Sequence, residues 1–182
     1  RQLWDRQAEY GREKNSLTDK IFRHFLRLWD SSAAKRPTEF VAISQTVADR
    51  IKKYYRRDAL VIYPPVKTSV KTSESSQDFY LIVSRLYNHK NIQVAVEAFN
   101  KTGYPLIIIG DGPARERLQR QASKNITFLG AQSDEGVARH YATCRAFIMP
   151  QEEDFGLTPV EAMAHGKPVV ALRRGGATET VV

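Results

Sequence analysis

Downstream of residue 78 the chain alternates short, wholly apolar runs with longer amphipathic ones. FYLIV at residues 79–83, PLIII at 105–109, ITFL at 126–129, AFIM at 146–149 and PVVAL at 168–172 have strand length and are apolar almost throughout. Between them, residues 91–99, 113–123, 134–142 and 157–165 read as amphipathic helices. Apolar strands separated by helices mean a parallel sheet covered on both faces. The expected fold class is therefore α/β, a doubly wound Rossmann-like sheet. Such sheets bind ligands beyond the carboxyl ends of their strands, so the residues after each strand are where chemistry is expected.

The front of the chain is less regular. Residues 1–37 read as helical and amphipathic, with Leu17, Ile21, Phe22, Phe25, Leu26, Leu28 and Trp29 as the apolar positions and Pro37 as the stop. FVAIS at 40–44 predicts a short buried strand. Ser44 suits the N-cap of a helix over 45–55, whose apolar stripe is Val47, Ile51 and Tyr54 or Tyr55. ALVIY at 59–63 predicts another strand, stopped by Pro64 and Pro65. The run KTSVKTSESSQ at 67–77 is polar and reads as a linker. The expected organisation is a first unit over 1–66, the linker over 67–77 and a second unit over 78–182.

Composition narrows the function classes. With 182 residues, 42% hydrophobic and 26% charged, the chain can bury a core, which excludes a mostly disordered protein. The single cysteine, Cys144, excludes an intramolecular disulfide framework and a paired-cysteine zinc site. No apolar run reaches the roughly 20 residues of a membrane-spanning helix, and residues 1–37 are too charged for a signal peptide. The net charge is +8. Residues 1–66 hold 14 basic and 8 acidic side chains, so most of the excess lies at the front. Its densest cluster runs from Lys52 through Lys53, Tyr54, Tyr55 and Arg56 to Arg57. Basic residues among aromatics suit nucleic acid or an anionic membrane. They equally suit the last turn of a helix, where the macrodipole is negative.

The strand ends carry the candidate chemistry. Arg85 lies just past the first strand and Lys90 at the start of the next helix, a pair that suits an anion site and equally a surface loop that happens to be basic. Gly110-Asp111-Gly112-Pro113 follows the second strand; Asp111 reads as a turn residue. Gly130 follows the third and lets backbone approach the crevice. No strand leads into G-x-G-x-x-G, which argues against a nicotinamide-dependent dehydrogenase. After the fourth strand, Glu153 lies in a loop, Gly156, Leu157 and Thr158 open a helix, and Glu161 follows one turn later. The opening N–H groups suit a phosphate, and the two carboxylates suit sugar hydroxyls while repelling a nucleic-acid backbone. Glu161 is equally explained as an acid placed for the helix dipole. Cys144 reads as a core residue, His24 and His140 as surface or packing residues, and His165 as a helix-end cap. His89 lies between Arg85 and Lys90, within reach of a phosphate there.

Taken in order, SRL with Lys90-Asn91, IIIGDGP, ITFLG, EDFGLTPVEAMAHGKPVVALRRGGATE and Gly175-Gly176 with Glu179 resemble the retaining glycosyltransferases of the two-domain GT-B fold, glycosyl transferases group 1. Glu153 and Glu161 stand at that family's E-x7-E spacing. The resemblance covers about residues 38–182, and more loosely the first 37, the segment 40–66 looking like the end of an N-terminal acceptor domain. It implies that Arg85 and Lys90 bind the donor diphosphate, and that Phe155, Gly156, Leu157 and Thr158 hold diphosphate and sugar. Glu153 would contact the hexose, Glu161 the ribose, and backbone near Gly130 the base. Glu153, Arg85 and Lys90 are thus the expected catalytic residues. Asp154 stands where the common pattern has Gly, which is closer to bacterial mannosyltransferases of polysaccharide assembly and favours GDP-mannose over a UDP-sugar. No D-x-D occurs, so no metal and no separate cofactor is expected. The expected partners are the nucleotide-sugar and a glycan or lipid-linked acceptor, with no nucleic acid. The family implies a cytoplasmic setting, with peripheral contact to the anionic inner membrane face as a candidate role for the basic front. The resemblance also implies a donor domain short of its end, inactive in transfer by itself. The alternatives are a non-catalytic nucleotide-sugar-binding domain and a basic nucleic-acid-binding protein.

Overall fold

A computed structural model of the chain describes residue 4 and residues 17–67 and 77–181. The chain divides into two compact units, Arg1–Tyr63 and Pro64–Val182. Most of the segment expected as a linker, residues 68–76, lies outside the described residues.

In the first unit, helix α1 spans Leu17–Ala33 and helix α2 spans Gln45–Tyr55, while β1 (Val41–Ala42) and β2 (Leu60–Val61) form a parallel pair. Ser44 caps α2 as expected, its side chain accepting from the Val47 N–H at 3.1 Å. The strands differ from the sequence reading. They are two residues long rather than five, and 40–44 is not buried throughout. Ala42 and Ser44 are buried, whereas Val41 and Ile43 face out. Only one face of the pair is covered, so the period-two alternation of a half-exposed strand replaces a fully buried one. The apolar positions of α1 likewise form a helical stripe but, apart from the half-buried Leu26, are exposed, Phe22, Phe25 and Trp29 each at 63%.

The basic cluster is largely absorbed by the end of α2. Arg56 adopts a left-handed C-cap conformation, with φ 55°, and its N–H bonds the Lys52 carbonyl. Lys52 pairs with Asp58 at 3.0 Å, and the Arg57 guanidinium donates to the carbonyls of Pro37 and Thr38. Arg56 thus closes the helix end with its backbone, Lys52 ties down the turn that follows, and Arg57 reaches back to the segment before β1.

The second unit contains the expected parallel sheet. Its strands are β3 (Tyr80–Val83), β4 (Leu106–Ile109), β5 (Ile126–Gly130), β6 (Ala146–Met149) and β7 (Val169–Ala171), in the spatial order β5-β4-β3-β6-β7. Helices α3 (Ile92–Thr102), α4 (Arg115–Gln121), α5 (Asp134–Thr143), α6 (Leu157–Ala164) and α7 (Ala177–Thr180) connect or follow them. Pro113 belongs to the turn before α4 rather than to its first helical position. Each sheet face carries its own core. Ile82, Leu106 and Ile108 pack with Leu86, Val96 and Leu118 on one side. Leu81, Ile109, Phe147 and Met149 pack with Tyr141 and Ala162 on the other. Neighbours Leu81 and Ile82 fall in different cores because successive strand side chains point to opposite faces. Full burial of each such side chain contributes about 1.5–3 kcal/mol, which explains why the strands are apolar on both sides. The order reverses between β3 and β6, and that switch point positions the site.

Candidate functional site

The site is assembled at the carboxyl ends of β3 and β6. Beyond β3, the loop carrying Arg85 is anchored by Leu86, which is fully buried. The Leu86 N–H donates to the Asp111 carbonyl and its own carbonyl accepts from the Ala114 N–H, so the loop is tied to the turn after β4. Arg85 is exposed, its guanidinium 5.9 Å from the Tyr87 ring centroid. A single 3-10 turn, Asn88–Lys90, then directs Lys90 back, and its side chain is only 13% exposed. His89 sits in that turn with its ring against Tyr87.

Beyond β6, Glu153 forms an isolated parallel bridge with Gly175, and the Gly176 N–H donates to its carbonyl at 2.9 Å. The bridge requires glycine. Gly175 has φ +62°, and a Cβ there would lie 2.3 Å from the Glu153 carbonyl oxygen. The Glu153 carboxylate meets Lys90, Nζ to Oε1 at 2.5 Å. Gln151, 3% exposed, donates to the same Oε1 at 3.3 Å. Sequence reasoning missed Gln151; a polar residue two positions past a buried strand, after Pro150, was its only signal.

Helix α6 opens next to this pair. Its N-cap is Gly156 at φ +89°, and no side chain caps the helix. That uncapped opening has a geometry that suits an anion. Phe155 is buried and fixes the approach to the helix, Leu157 is exposed and Thr158 half-buried. Glu161 lies one turn in, half-buried, and one of its oxygens accepts from the Tyr141 hydroxyl at 3.0 Å. Burial of Tyr141, together with the Glu161 charge, pushes its phenol well above the usual range, so it stays a proton donor. Tyr141 is a second residue the sequence reading did not single out.

Gly130 ends β5 at φ +71°, and its carbonyl accepts from the Gly110 N–H. It lies on the same sheet edge as Lys90 and Glu153 but two strands away from β3. Asp111 serves its turn, accepting from the Gly112 N–H at 2.7 Å and from Arg115 at 2.8 Å. Those two donors hold its carboxyl below the usual range. His165 closes α6, with Nδ1 2.9 Å from the Glu161 carbonyl. Cys144 is wholly buried, which pushes its thiol up to about 11.

An open parallel sheet, with a cation and carboxylate meeting at its switch point beside an uncapped helix start, defines an α/β protein suited to a ligand carrying phosphate and hydroxyl groups. The family model for glycosyl transferases group 1 matches residues 67–182, and the chain belongs to that family. It is 26% identical over 183 residues to O-antigen chain mannosyltransferase C of Escherichia coli, covering 91% of this chain and 47% of that protein. It is 30% identical over 171 residues to O-antigen chain mannosyltransferase RfbU of Salmonella typhimurium, covering 86% and 47%. Among solved structures, Anabaena Alr3699/HepE in complex with UDP and glucose superposes with a TM-score of 0.77 at 25% identity, covering 90% of this chain and 52% of that one. The chain thus spans about half the length of the curated relatives it matches, and its sheet has the fold of GT-B glycosyltransferases. Among the described residues no helix is long and apolar enough to cross a membrane.

Proposed function

We propose that this chain binds the donor substrate of a retaining hexosyltransferase, with GDP-mannose favoured and a UDP-sugar as second candidate. The observation that carries the reading is the meeting of Lys90 and Glu153 beside the uncapped start of α6, where strand order reverses. Phosphate oxygens of the donor would take up Lys90, Arg85 and the N–H groups at Phe155, Gly156 and Leu157, with Thr158 beside them. Negative charge grows on the diphosphate as the glycosidic bond breaks, and fixed cations with a helix start stabilise it without a metal. Glu153 would hold the hexose hydroxyls as a positioning group, Glu161 the ribose, and backbone near Gly130 the base.

The preference for mannose on GDP rests on Asp154 in the motif and on the O-antigen mannosyltransferases among the relatives. The UDP alternative rests on the Anabaena protein, which holds UDP and glucose. The acceptor is a glycan or lipid-linked sugar, met at the cytoplasmic face of a membrane that the basic front would touch. The chain spans about half the length of its curated relatives, and transfer is expected to need an acceptor site from outside the residues they share with it.

A thermal-shift panel of GDP, UDP, ADP and their sugars tests donor binding. One nucleoside diphosphate at 100 times its Kd is expected to stabilise the chain by about 2.7 kcal/mol, unchanged by a chelator. No shift with any of them overturns the reading.

A further inference from the structure

The Tyr141–Glu161 contact joins two helices that flank the same sheet edge. Tyr141 lies in the last turn of α5 and is 2% exposed. Its ring packs against Phe147 and His165, with centroids 5.7 and 5.4 Å away. A phenylalanine would fill that space equally well. The hydroxyl is what differs, and it donates to Glu161 Oε2 at 3.0 Å. Buried phenol hydroxyls need a partner, but a neutral carbonyl would serve without the cost of a half-buried carboxylate. The choice of a charged acceptor points to a use for Glu161 beyond satisfying the tyrosine. Among the described residues the other carboxylate oxygen, Oε1, has no hydrogen-bond partner.

We propose that Tyr141 is a positioning residue that holds one oxygen of Glu161 and so presents the other to the ribose hydroxyls of a nucleoside diphosphate. This rests on the donor-binding reading above. A glutamate side chain has several rotatable bonds, and fixing it before the ligand arrives removes an ordering cost from binding. The raised phenol pKa keeps the donor protonated at any working pH. The contact therefore sets how strongly the site separates ribose from deoxyribose, because an unfilled hydroxyl position leaves the positioned carboxylate oxygen without its partner.

The test titrates the 182-residue chain with GDP and with 2′-deoxy-GDP by calorimetry, with UDP and 2′-deoxy-UDP as a second pair. The wild-type chain is expected to prefer the ribonucleotide. Tyr141→Phe is expected to weaken ribonucleotide binding about tenfold, equivalent to roughly 1.4 kcal/mol. It should leave the deoxy form within about twofold, so the preference collapses. Glu161→Asp keeps the charge but withdraws it from the Tyr141 hydroxyl, and is expected to lose the same preference; it keeps the proposal open to refutation if the Phe variant fails to fold. Retention of the ribose preference in Tyr141→Phe, or in Glu161→Asp should it be the variant that folds, overturns the proposal. Binding with no ribose preference in the wild-type chain also overturns it while leaving donor binding intact. Absence of all nucleoside diphosphate binding overturns the donor reading and this proposal with it.

Discussion

Lys90 and Glu153 are 63 positions apart in the chain, yet Nζ and Oε1 meet at 2.5 Å with both side chains largely withdrawn from water. The cation assigned to the donor diphosphate is thus already paired with the carboxylate assigned to the hexose. A phosphate must take Lys90 from Glu153 or share it. On the donor-binding reading, the pair orients both groups and competes with the ligand for Lys90.

That competition is measurable. Glu153→Gln leaves Lys90 without an anionic partner and is expected to tighten binding of a free nucleoside diphosphate, which carries no sugar, by roughly fivefold, about 1 kcal/mol. Lys90→Ala is expected to weaken it by about tenfold, since a charge-assisted contact to phosphate is lost. Calorimetric titration of both variants with GDP and UDP checks the pair. Weaker binding by Glu153→Gln than by wild type would show that Lys90 and Glu153 do not compete.

Gly175→Ala strikes the same site through the backbone. The added Cβ would sit 2.3 Å from the Glu153 carbonyl oxygen at a φ of +62°. Either the bridge opens or Glu153 shifts. A loss of about 1–3 kcal/mol is expected, read as a lower midpoint in urea, together with weaker nucleoside diphosphate binding. Wild-type values for both would mean that the bridge does not support the site.

Ser44→Ala removes the cap of α2, in which the hydroxyl accepts from the Val47 N–H. The expected cost is about 1 kcal/mol, confined to the first unit. Far-ultraviolet circular dichroism during urea unfolding reads the loss, and nucleoside diphosphate binding should not change.

Cys144 gives a pH signature. Burial raises its thiol from 9.0 to about 11, so the folded state favours the protonated form. The resulting stability is fully present below pH 9 and lost as pH rises from there through about 11. Dithionitrobenzoate at pH 8 should react slowly with the native chain and quickly in denaturant; fast native reaction would place the thiol in solvent.

The helices and strands of the second unit were legible because burial imposes a local pattern. Residues 79–83 are apolar on both faces because both faces of β3 are covered, and any window of five residues reveals that. Arg85, Lys90, Glu153 and the 156–158 turn could be named as strand-end residues for the same reason. The first unit was read less well. The stripe on α1 predicted a helix correctly, but periodicity reports which residues share a face, not what covers it, and Phe22 and Phe25 proved exposed. The five-residue strands expected there are two residues long because the two segments pair only over Val41–Ala42 and Leu60–Val61.

By itself, then, the sequence determined most elements of the second unit, its parallel sheet and the residues at its carboxyl edge, since each is written in spacing along a few residues. Only the tertiary structure decided who meets whom. Lys90 reaches Glu153 because β6 lies beside β3 and because Gly175 lets a distant backbone bridge the loop. Tyr141 reaches Glu161 because α5 and α6 pack together on one face of the sheet. Those pairings depend on strand order and on close approach between segments remote in the chain, which no local pattern records.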